Sequence, residues 1–125
     1  MRAALTLLVA AGLAWASGVR AQPAAGDPAK GETIFQDRCG FCHVLEGPGQ
    51  GPNLIGVVGR KAAGDPAFTY SPALKASGLT WSAGELDRFL TGPTDLVPGT
   101  SMRATIFDPA ERRDLIAYLA SLKGK

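Results

Sequence analysis

Cys39-Gly40-Phe41-Cys42-His43 is the stretch that decides how this chain is read. Cys-x-x-Cys-His is the spacing for covalent attachment of a c-type haem. On a helix the two thiols and the imidazole fall at i, i+3 and i+4, on one face. Both thiols can then add across the vinyl groups of one porphyrin while the imidazole ligates its iron. His43 is the only histidine in the sequence, so an imidazole ligand to iron has one candidate.

Other uses of the same residues fit less well. A structural disulfide would use Cys39 and Cys42, the two cysteines of the chain, without requiring His43. A tetrahedral zinc site needs four ligands, usually Cys or His, and this chain supplies three unless a carboxylate joins them. A thioredoxin-like redox pair belongs near a βαβ pattern. No strand–helix–strand alternation appears, and the residues before the motif read as helix.

The first residues read as an export signal. Met1-Arg2 carries one positive charge, and Ala3 to Ala16 is almost unbroken apolar sequence. Val19-Arg20-Ala21 places small residues at the two positions a signal peptidase reads. A cleaved secretory signal peptide over residues 1–21 is therefore expected, and with it a periplasmic protein. The rival is an uncleaved anchor, but the run is short of the about 20 residues a spanning helix needs. Cleavage after Ala21 leaves 104 of the 125 residues: a mobile tail, 22–26, and one small domain, 27–125. The full chain has 13 basic and 11 acidic side chains, and losing Arg2 and Arg20 leaves eleven of each. Nothing suggests a nucleic-acid partner, which calls for a clustered basic patch.

Along the domain the signals are helical. Asp27-Pro28 and Asp108-Pro109 each offer an N-cap followed by proline at the first helical position. Ser71-Pro72 followed by Gly78 brackets a short helix, and Ser82-Ala83-Gly84-Glu85 reads as a capping box. Leu86, Phe89 and Leu90 form the buried stripe of that helix, which Gly92-Pro93 ends. In the last helix Leu115, Ile116, Leu119 and Leu122 are expected inside, with Arg112 and Arg113 on the opposite face. Gly47 to Gly59 reads as loop, with two prolines and five glycines. The expectation is an all-α domain of about four to five short helices joined by long loops. Such loops need something to wrap around, and one haem supplies it.

Once Met1 leaves with the signal peptide, Met102 is the one remaining thioether. It follows Pro98-Gly99-Thr100-Ser101 in a loop rather than on an apolar stripe. A gap-filling core role is the plain alternative. Its place downstream of a haem motif, in a chain without a second histidine, makes it the candidate for the other axial position. Thioether ligation raises the reduction potential. Two strong protein ligands would leave no open position for a small-molecule substrate.

With these pieces in order, the sequence resembles a class I c-type cytochrome of the cytochrome c2 or mitochondrial cytochrome c type. The resemblance runs over roughly residues 27–123. It rests on Cys39-x-x-Cys42-His43, Gly51-Pro52-Asn53-Leu54-x-Gly56, Gly59-Arg60, Tyr70, Gly78-Leu79-Thr80-Trp81, Pro98-Gly99-Thr100-x-Met102 and Asp114-Leu115-Ile116-Ala117-Tyr118-Leu119. It implies the small class I cytochrome c fold and one haem c, held by two thioethers with His43 and Met102 as axial ligands. It further implies that the Pro52 carbonyl fixes the His43 ring, and that Arg60, Tyr70 and Trp81 hold the propionates, with Thr100 close by. Gly31 would let the last helix cross the first near Tyr118. The implied function is one-electron transfer between redox protein partners, by a monomer that is not an enzyme. A haem sensor or peroxidase-like protein with a displaceable Met102 is the alternative.

Departures from that family pattern are specific. Phe89 stands where the mitochondrial type has a tyrosine near the sulfur, and Leu74 where it has a buried asparagine. Thr94, Asp95 and Ser101 replace lysines around the exposed haem edge, and Ala104 replaces a phenylalanine. A partner-docking patch around Val97, Pro98 and Ala104 is therefore expected to be apolar; the alternative is a local basic cluster from Arg38 and Arg103, which flank the ligand motifs.

Overall fold

Two Asp-Pro sequences start the two helices that frame the molecule, α1 (Pro28–Arg38) and α5 (Pro109–Ser121), in a computed structural model that describes residues 25–123. The expected leader, 1–21, and residues 22–24 of the expected tail lie outside the described residues. The Asp27 carboxylate accepts from the Ala29 and Lys30 amides at 2.9 and 3.4 Å, and Asp108 accepts from Ala110 at 2.7 Å. Each side chain thus satisfies amides that have no partner inside their helix.

α1 and α5 cross at Gly31. A Cβ built there would lie 2.0 Å from the Asp114 carbonyl oxygen and 2.8 Å from Tyr118 Cβ. Only glycine permits that approach. Phe35 and Tyr118 pack across the crossing with ring centroids 5.4 Å apart. Gly26, at the end of the sequence assigned to the tail, packs against the Arg113 carbonyl, and the Asp27 amide donates to Asp114 at 2.7 Å.

Three shorter helices lie between them in sequence: α2 (Pro72–Ala76), α3 (Ala83–Thr91) and α4 (Pro93–Leu96). Ser71 caps α2 and Ser82 caps α3 through their hydroxyls. The expected capping box is half made, because the Glu85 carboxylate turns to Arg88 at 3.0 Å. Gly92-Pro93 ends α3 as read, but Pro93 also opens the single turn of α4, too short to leave a periodic signal. Leu86, Phe89 and Leu90 are buried as the stripe predicts. Among the described residues there is no strand. One antiparallel bridge, Lys61 to Thr80, ties the long loop to the α2–α3 connection.

Arg112 overturns the polarity expected of α5. Leu115 and Leu119 are buried and Arg113 is exposed, but Arg112 is buried beside the leucines, 8 % exposed. Its spacing to Leu115 and Leu119 puts it on their stripe, and it survives there because every polar contact it needs is supplied (below). Among the described residues no helix is long and apolar enough to cross a membrane.

Candidate haem site

α1 ends at Arg38, so the Cys-x-x-Cys-His motif follows the helix instead of lying on it. It keeps one helical turn nonetheless. The His43 amide donates to the Cys39 carbonyl at 2.9 Å and the Cys42 amide to the same oxygen at 3.1 Å. The i, i+4 relation expected from the spacing is therefore preserved in a turn. Cys39 and Cys42 are not joined to each other. Burial pushes the Cys39 thiol up to about 11, with Arg38 offsetting part of the effect. That is opposite to the direction usual for an activated redox thiol. Among the described residues no three Cys, His, Asp or Glu side chains converge as a metal cluster, so zinc has no tetrahedron to occupy.

His43 is buried and its Nδ1 lies 2.8 Å from the Pro52 carbonyl oxygen. A carbonyl can only accept, so Nδ1 carries the proton and donates. The lone pair is then on Nε2, and the ring is fixed for ligation through that atom. Gly51 closes over the same ring. A Cβ there would stand 2.6 Å from Cε1 and 2.8 Å from Nδ1. That contact was not read from the sequence, although the Gly51-Pro52 pair carried the signal.

Both thiols and His43 face a cavity of about 400 Å³, which Met102 also lines. Pro52, Arg60, Tyr70, Trp81 and Thr100 line it too, so all nine residues singled out in the sequence meet in one place. Phe35, Leu86, Phe89, Leu90 and Leu115 give it an apolar wall. Leu74 and Phe89, the two departures that remove polar groups, both belong to the lining. Val97 does not. It is buried in the core at 4 % exposure, whereas Pro98 and Ala104 are exposed. The expected docking patch therefore loses Val97. Arg38, one of the two cations of the alternative basic cluster, forks onto Glu111 at 2.9 and 3.3 Å.

The polar groups of the cavity test whether a haem fits. Arg60 donates through Nη2 to the Asn53 carbonyl at 2.9 Å and through Nη1 to Ile55 at 3.3 Å, while its Nε is buried without a partner. A buried charged donor left unpaired is costly, and a propionate is the acceptor that would satisfy it. The Tyr70 hydroxyl accepts from the Asp65 amide at 3.1 Å, which leaves its own proton free to donate. Trp81 is buried against Phe89, centroids 4.8 Å apart. Asn53, not singled out in the sequence, orders this wall. Its amide donates to the Leu45 carbonyl and its side-chain oxygen accepts from Ile55, both at 2.8 Å. An apolar cavity with two thiols, one imidazole and a carboxylate-seeking guanidinium fits the group.

A family model described as Cytochrome c matches residues 28–123. The chain belongs to the cytochrome c family. It is 43% identical over 129 residues to cytochrome c2 of Rhodomicrobium vannielii, covering 100% of both chains. It is 46% identical over 101 residues to cytochrome c2 of Agrobacterium tumefaciens, covering 75% of this chain and 90% of the relative. Among solved structures it resembles cytochrome cH from Methylobacterium extorquens, with 47% identity and a TM-score of 0.73, covering 77% of this chain and 99% of that one. The class I cytochrome c fold expected from the sequence is thus the fold observed, with five helices around the cavity. As a cytochrome c the protein carries covalently bound haem c, with Cys39, Cys42 and His43 as its attachment motif, and is an electron carrier rather than an enzyme. The sensor or peroxidase-like alternative is not favoured. Its partners are redox proteins.

Proposed function

We propose that this cytochrome c holds its iron between His43 Nε2 and the Met102 sulfur and passes single electrons between exported or membrane-bound redox proteins. The bound haem supplies a one-electron couple that needs no bond to a substrate. The observation that carries the reading is the His43–Pro52 bond of 2.8 Å, which supports ligation by the one histidine through Nε2. Pro52 fixes the ring, and Arg60, Tyr70, Trp81 and Thr100 serve the two carboxylates. The apolar wall excludes water and keeps the local dielectric low, which favours the less charged reduced state. Leu74 and Phe89 strengthen that effect by replacing polar groups.

The protein works as a monomer in the periplasm, delivered there by residues 1–21. The near-balanced charge of residues 22–125 supports docking to partners with little long-range steering. The test of ligation is Met102→Ala in the ferric holoprotein. The sulfur-to-iron charge-transfer band should vanish and the reduction potential should fall substantially. A variant that keeps the parent band and potential would refute Met102 as ligand.

A further inference from the structure

Two bonds of Arg112 converge on the stretch of chain that leaves Met102, and a third ties it to α3. Nη1 donates to two successive carbonyls, Ile106 at 2.8 Å and Phe107 at 2.9 Å. Nε donates to the Asp87 carboxylate on α3 at 2.7 Å. The Ile106 amide meanwhile donates to the Leu90 carbonyl at 2.8 Å. At the other end the Thr100 amide donates to Val97 at 3.0 Å, and Thr100 is buried. Between these two fixed points, Ser101 to Thr105 make no hydrogen bond among the described residues. Met102 is the second residue of that unsupported span.

We propose that Arg112 is a positioning residue for the Met102 thioether, acting through the Ile106–Phe107 backbone. This rests on Met102 being the iron ligand. A span with no bonds of its own is placed by its ends and by side-chain packing. Without the guanidinium, the Phe107 carbonyl can turn to water, since Phe107 is 79% exposed. Ile106 is 3% exposed, and its carbonyl would be left buried and unpaired. The desolvation penalty then favours outward movement of Ile106, which lengthens the free span and lets Met102 withdraw. Lysine is a partial substitute only. Its ammonium is a point charge, whereas the planar fork serves two carbonyls and a carboxylate at once.

The experiment is an imidazole titration of the ferric holoprotein, following loss of the sulfur-to-iron band. It compares the parent with Arg112→Met and Arg112→Lys. Asp27→Ala serves as a control that weakens the fold by removing the N-cap of α1. Imidazole should displace the thioether at about tenfold lower concentration in Arg112→Met, the scale set by losing bonds to a charged donor. Arg112→Lys should fall between that and the parent. Asp27→Ala should stay within about twofold of the parent, because its carboxylate bonds only to the first amides of α1. Arg112 variants that melt lower but titrate like the parent would overturn the proposal. Equal shifts in Arg112→Met and Asp27→Ala would overturn it too, since the effect would then be one of global stability. A parent without the band would instead refute Met102 ligation itself, and this inference with it.

Discussion

Gly31→Ala sets two known effects against each other. Alanine is the better helix former by about 0.8–1.0 kcal/mol, and on an open surface that gain would be realised. Gly31 is not on an open surface. The new Cβ would sit 2.0 Å from the Asp114 carbonyl oxygen, 2.6 Å from its carbon and 2.8 Å from Tyr118 Cβ. Two of those atoms are backbone and cannot rotate away. Ordinary contact would require the helices to separate by about 1.5 Å, and a gap of even 0.5–1 Å forfeits roughly a quarter to a half of each lost contact. Overpacking of this kind costs about 1–3 kcal/mol, and a backbone clash belongs at the upper end. The net is a loss of about 2 kcal/mol, which for a domain of this size lowers the melting temperature by roughly 8–16 °C. Thermal and guanidinium melts of the holoprotein measure it. Gly84→Ala on α3 is the internal control, because its Cβ would meet only the Ser82 hydroxyl at 3.9 Å. That variant should be neutral or stabilised by up to about 1 kcal/mol. A Gly31→Ala protein as stable as the parent would refute the close-crossing argument.

Further outcomes follow from other sites. Gly51→Ala should tilt the His43 ring, shift the low-spin ferric EPR signal and lower stability by about 1–3 kcal/mol; an unchanged signal and melting curve would remove that contact from the site. Partner oxidation rates should vary only weakly with salt, because eleven basic and eleven acidic side chains remain after residue 21 and Arg38 is paired with Glu111. A steep fall between low and physiological ionic strength in stopped flow would contradict this. The sequence from Thr91 to Arg103 contains no lysine, and arginine does not deprotonate to compete for iron. The sulfur-to-iron band should therefore persist on alkaline titration. Its loss at about pH 9, more than a unit below the ordinary lysine value, with nitrogen-ligated low-spin signals replacing it, would show a lysine reaching the iron.

Local signals were legible where the cause is local. Asp27-Pro28, Ser71-Pro72, Ser82 and Asp108-Pro109 start helices because the capping hydroxyl or carboxylate and its amides lie within three residues. The haem motif was legible for the same reason. Arg112 was not, although its spacing to Leu115 and Leu119 marked it as inward. A charge was assigned to the surface because its partners, two backbone carbonyls and Asp87 on another helix, leave no pattern in sequence. Val97 was misplaced on the surface because a Pro-Gly loop reads as exposed, whereas it packs in the core. Asn53 stands in a family motif without a role, because its value lies in bonds to Leu45 and Ile55, which exist only once the loop has closed. The nine residues of the site could be named, but their convergence on one cavity could not be derived from their order.

The turn that holds Cys39, Cys42 and His43 spans five consecutive residues, while Met102 lies 59 positions after His43. Loop closure costs about 0.6 kcal/mol for each doubling of length. Bringing Met102 to His43 therefore costs roughly 2 kcal/mol more than assembling the motif, and it needs the α1–α5 crossing and the Ile106 anchor in place. The two halves of the site thus have different prerequisites. An extended chain already offers both thiols and the imidazole to an attachment machinery. On the proposed ligation the thioether arrives only with the finished fold, so its arrival would be a record that maturation is complete.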